Sequence, residues 1–134
     1  MPTLHLRMTP NANNGKTIIK LSNPLKSQNF HLHSAILVKT GTGYSGGHIY
    51  IRLPFASASQ FHTSDKKGLL LIPTMPGVAG MEQHSFSDGL PLEVDALEEE
   101  FICELLKDDL TPFTSSANLK SVDLYFGYET HSLF

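Results

Sequence analysis

Residues 30–55, FHLHSAILVKTGTGYSGGHIYIRLPF, hold two alternating apolar runs separated by a loop with four glycines. In the first run Phe30, Leu32, Ile36 and Val38 share one parity, while His31, His33 and Lys39 share the other with Ala35 and Leu37. In the second run Ile49, Ile51, Leu53 and Phe55 oppose His48, Tyr50 and Arg52. A period of two with polar side chains on one parity describes strands that bury one face and wet the other. The stretch predicts a β-hairpin whose tip, Gly41–Gly47, is a flexible loop.

Upstream, Leu4, Leu6 and Met8 alternate with His5 and Arg7, a short leader strand stopped by Pro10, which lacks the ladder N–H. Asn14-Gly15 then marks a tight turn or hairpin, because both residues tolerate positive φ. The β-branched run Lys16–Leu21 is the next strand, closed by Ser22-Asn23-Pro24. Downstream, residues 56–67 are small, polar and loop-like, with Phe61 as a lone aromatic anchor. Gly68–Ile72 is a short apolar run bounded by Pro73, a buried strand. Gln83–Phe86 and Leu90–Val94 flank Asp88-Gly89, again hairpin chemistry.

Residues 95–110, DALEEEFICELLKDDL, fit two structures. A helix would have Asp95 as N-cap with Glu98 at N3, and Leu97, Phe101 and Leu105 spaced by four. A strand would alternate Phe101, Cys103 and Leu105 against Ile102, Glu104 and Leu106. The final run, residues 121–130, places Val122, Leu124, Phe126 and Tyr128 on one face and needs a long partner, so Glu100–Leu106 is taken as strand.

One leader strand plus eight follows, the eight at roughly 17–21, 30–39, 48–55, 69–72, 83–86, 90–94, 100–106 and 121–130. Short strands with glycine and proline turns predict an all-β fold, a single eight-stranded antiparallel jelly-roll β-sandwich forming one domain over residues 1–134. In a jelly roll the first strand pairs with the eighth and the second with the seventh.

Composition agrees: of 134 residues 40% are hydrophobic and 17% charged, enough for one core. Cys103 is the only cysteine, so no intrachain disulfide forms and no oxidising compartment is required. No apolar run approaches the ~20 residues that span a bilayer, and no signal-peptide pattern opens the chain, which predicts synthesis in the cell interior without secretion. The net charge of −3 hides a division: residues 1–67 hold eight basic side chains against one acid, and residues 68–134 hold two against twelve. A basic half could touch nucleic acid or a neighbouring copy, but the favoured expectation is that early strands pair with late ones and compensate them.

Chemistry-bearing motifs are sparse. His31-x-His33, with His48, His62 and His84 elsewhere, could gather imidazoles for a metal. Metal-binding cupins place a glutamate three or four residues after such a pair, where this chain has Ile36 and Leu37. No metal site and no cofactor are expected. Cys103 sits among apolar and acidic neighbours that raise its pKa, which suits core and not a nucleophile. Gly41–Gly47 lacks the Lys-Ser/Thr ending of a phosphate loop and leads into a strand. Glu98–Glu100 or Asp108-Asp109 could hold calcium through carboxylate oxygens, but no EF-hand spacing is present and a solvated acidic turn is the favoured reading. Tyr44, Tyr50, Tyr125 and Phe134 are expected to be exposed, as a sugar-stacking face or an inter-subunit contact, and Tyr44, Tyr50, Phe61 and Phe134 are the candidate interface residues. No catalytic residue is assigned.

The order IIKLSNPL, FHLHSAILVKT, HIYIRLPF, GLLLIP and a terminal SVDLYFGYE resembles the small single jelly-roll proteins of viruses with jelly-roll major capsids. These are the penton and minor capsid proteins of virophages, polinton-like viruses and large DNA viruses, and the resemblance spans about residues 16–130. It implies a structural virion protein without an active site. Such a subunit assembles with itself, a pentamer being favoured, and with a major capsid protein. A carbohydrate- or receptor-binding β-sandwich module is the alternative.

Overall fold

The computed structural model describes residues 3–21, 28–53, 69–94, 100–115 and 118–128, with side chains at all of these but 28–29, 87–94 and 128. Eight strands run in order: β1 (Thr3–Met8), β2 (Lys16–Lys20), β3 (Gln28–Lys39), β4 (His48–Arg52), β5 (Leu69–Pro73), β6 (Gly80–Val94), β7 (Glu100–Leu106) and β8 (Ser121–Tyr128). They form two four-stranded antiparallel sheets, ordered β1-β8-β3-β6 and β2-β7-β4-β5. This alternation of strands between two sheets is the jelly-roll order, and no helix occurs among the described residues.

The number eight is reached differently from the sequence expectation. The short N-terminal strand is no ninth element: β1 pairs with β8 over its whole length, Thr3 opposite Gly127 to Met8 opposite Val122. Residues 83–86 and 90–94 belong to one strand, β6, so Asp88-Gly89 makes no hairpin turn. The ladder absorbs the extra residues instead, since Leu32 faces Leu90 whereas Ser34 faces Ser85. Residues 100–106 are strand β7, paired with β2 and β4, and 95–99 lie outside the described residues.

The expected hairpin at 30–55 is also corrected. β3 pairs with β6 and β8, β4 with β5 and β7, so the two arms lie in opposite sheets as interior strands. Both arms bury one face, and that face looks the same from sequence whether the neighbour lies beside it or across the core. Asn14-Gly15 behaves similarly: both residues have positive φ, 56° and 68°, but the turn passes β1 to β2 in the other sheet.

Along β3 the buried parity switches. Phe30 and Leu32 are inward, and after His33 the inward residues are Ala35, Leu37 and Lys39, not Ile36 and Val38. Against β8, Leu32 faces Phe126 and Ser34 faces Tyr125, so His33 is one residue too many, a β-bulge. An inserted residue moves every later side chain to the opposite face. β4 and β8 keep strict alternation: Ile49, Ile51, Leu53, Val122, Leu124 and Phe126 are all buried, as expected. They meet Leu6, Met8, Ile72, Cys103 and Leu105 in one core, where Phe30 and Phe126 pack edge to face at 6.3 Å. A smaller cluster of Tyr50, Leu69 and Leu106, backed by Leu71 and Leu110, lies on the outer side of the second sheet.

Candidate functional site

Antiparallel pairing of early with late strands brings unlike charges together in two places. On the outer face of the first sheet, Arg7 and His5 of β1 flank Asp123 of β8. Arg7 Nε donates to Asp123 Oδ1 at 2.8 Å, and His5 Nε2 lies 2.7 Å from the same oxygen. The Asp123 side chain is only 5% exposed. Its burial pushes the carboxyl pKa up, but the bonds to Arg7 and His5 outweigh that and hold it below the ordinary carboxylate range. The His5 ring stacks on Tyr125 at 4.5 Å, nearly parallel.

The second cluster closes one end of the sandwich. Lys39 at the end of β3 donates from Nζ to Glu82 Oε1 and to the Met75 carbonyl, each at 2.7 Å. Glu82 also accepts the Met75 N–H at 3.0 Å and contacts His84 through its other oxygen. The bulge at His33 is what turns Lys39 inward, where only a paired ammonium is tolerable. Both clusters, with Arg52 and Glu104 at 3.8 Å, join residues 1–67 to residues 68–134, so Arg7, Lys39 and Arg52 are compensated across the ladders while Lys16 and Lys20 form no ion pair among the described residues.

These clusters brace the sheets. An imidazole that serves as general base to a side-chain nucleophile lies within hydrogen-bond reach of it. Among the described residues His5 is bonded to Asp123, and Cys103 is buried with its thiol pushed up to about 12 by desolvation. His31 and His33 lie with ring centroids 6.5 Å apart, His48 lies in the other sheet and His62 is outside the described residues. No group of three or more His, Cys, Asp or Glu among the described residues is placed to hold a metal ion.

The candidate interface residues fare unequally. Tyr44 and Tyr50 are each 7% exposed, contrary to the expectation of exposed rings, while Tyr125 is 36% exposed. Phe61 and Phe134 lie outside the described residues. Tyr44 packs on Phe113, donates its hydroxyl proton to the His48 carbonyl at 3.0 Å and accepts the Asp108 N–H at 2.9 Å. The glycine loop is therefore tied down: Gly77 N–H bonds to the Tyr44 carbonyl, Thr74 Oγ1 to the Gly46 carbonyl, and Asn118 Oδ1 accepts the Thr42 N–H. A tyrosine flanked by glycines reads as a tip, and only its amphipathic character hinted at an anchor.

Two exposed apolar groups were missed by the sequence reading. Ile18 and Ile102, 54% and 47% exposed, stand opposite each other on β2 and β7. Met75, Val78 and Met81 are 58%, 45% and 74% exposed on the loop before β6 and at its start. Among the described residues no helix is long and apolar enough to cross a membrane.

Comparison with protein-family models, curated proteins and solved structures returns no match.

Proposed function

We propose that the chain is a structural virion protein, a penton or minor capsid subunit that assembles with copies of itself and with a major capsid protein, and that it is no enzyme. The jelly-roll strand order carries this reading, together with the resemblance in strand pattern. Two further features favour it: the polar clusters brace strands, and large apolar side chains are left on a sheet face and an end loop. The basic side chains of β1, β3 and β4 pair with acids, so nucleic acid is not the favoured partner. A sugar-stacking module is less favoured, because Tyr44 and Tyr50 are taken up in packing. Native mass spectrometry of the purified chain at high concentration and physiological salt tests the proposal. A closed ring, five copies for a penton, is expected, and a clean monomer overturns it.

A further inference from the structure

The outer faces of β2 and β7 carry a regular pattern of charge. Lys16, Ile18 and Lys20 point outward from β2, an edge strand, and directly opposite them on β7 stand Glu104, Ile102 and Glu100. The alternate residues Ile19, Phe101, Cys103 and Leu105 turn to the core. The face thus has two exposed isoleucines at its centre, a column of ammonium groups on one side and a column of carboxylates on the other. Among the described residues, Lys16, Lys20 and Glu100 form no ion pair, and Glu104 has only Arg52 at 3.8 Å.

Such a pattern is complementary to itself in one orientation. A twofold axis running parallel to the strands, midway between two facing copies, exchanges the columns. Lys16 then meets Glu104 of the second copy, Lys20 meets Glu100, and Ile18 meets Ile102. An axis running across the strands would set Lys16 over Lys20 and Glu100 over Glu104, like charge on like. We propose that the β2–β7 face docks a second copy of this chain about the strand-parallel twofold. The isoleucines form the dry centre and the charged columns the rim that selects this orientation. The pairing goes beyond the virion reading, and neither requires the other.

The test uses two preparations of the full chain, Lys20→Cys and Glu100→Cys, treated with a short bismaleimide separately and mixed, with the unmodified chain as control for Cys103. A covalent dimer specific to the mixture is expected, because position 20 of one copy faces position 100 of the other. By sedimentation, Lys16→Glu is expected to weaken pairing about tenfold, since it creates two like-charge contacts per dimer, and Lys16→Glu with Glu104→Lys to restore it. Absence of the mixture-specific dimer, or pairing indifferent to Lys16→Glu, overturns the proposal. A ring of five that gives no such dimer overturns this face and leaves the virion reading standing; a cross-linked pair that forms no ring does the reverse.

Discussion

Lys39 Nζ lies 2.7 Å from Glu82 Oε1, with the lysine side chain 1% exposed and the glutamate 11%. The pair ties β3 to β6, and through both backbone groups of Met75 it holds the loop that follows β5. Lys39→Met would leave the Glu82 carboxylate buried without its ammonium, a change that typically costs about 3–5 kcal/mol. Urea unfolding at pH 7 measures it, and a loss under about 1 kcal/mol would show that desolvation already cancels the attraction.

Acid should unfold the protein through the same carboxylates. Burial raises the Glu82 pKa, but the bonds from Lys39, Met75 N–H and His84 prevail and hold it below its ordinary 4.5. Asp123 is held below 3.8 for the corresponding reason. A depressed folded-state pKa gives stability that is present above the unfolded-state value and is lost as pH falls through the folded one. The urea midpoint should therefore hold from neutral pH toward 4.5 and drop below it, less steeply in Glu82→Gln. An unchanged acid slope in that variant would exclude Glu82 as the titrating group.

The bulge at His33 sets which half of β3 faces the core. Deleting His33 would keep Phe30, Leu32, Ala35, Leu37 and Lys39 on one face, whereas inserting an alanine between Ser34 and Ala35 would turn Ala35, Leu37 and Lys39 outward, so loss of cooperative folding is expected of the insertion. His33→Ala keeps the residue count, and as the side chain is exposed it should change stability by less than about 0.5 kcal/mol. Amide dispersion in NMR spectra of the insertion and of His33→Ala separates register from side-chain effects.

Tyr44 is the bolt of the glycine loop. Tyr44→Phe removes the hydroxyl that serves His48 and Asp108 and should cost about 1–3 kcal/mol by leaving those backbone groups unpaired. Burial pushes the Tyr44 phenol up to about 12, so one tyrosine should resist ionisation in an absorbance titration through pH 10 to 11. That late step should vanish in Tyr44→Phe, and a full tyrosine titration by pH 11 in the native protein would contradict the packed loop.

Alternation by itself determined a good deal. It marked the inward faces of β4 and β8, and Cys103 as core. The strand at Glu100–Leu106 rests on the long partner that the final run is expected to need, yet β8 pairs with β1 and β3, and β7 lies in the other sheet. Side-chain period records that a face is buried, and β-branched and aromatic residues record that the backbone is extended. Tertiary structure alone decided which strands are neighbours. Ladder bonds join backbone groups that are alike in every residue, so nothing local says that β3 lies beside β6 and β8 and across the core from β4. The bulge at His33 is a mismatch between two strands, visible only once β8 is laid alongside, and it brought Lys39 inside to meet Glu82. The His5–Asp123 contact, spanning 118 positions, and the facing columns Lys16–Lys20 and Glu100–Glu104 exist for the same reason. Charge was legible in the chain, but its pairing depends on register, and register belongs to the folded sheets.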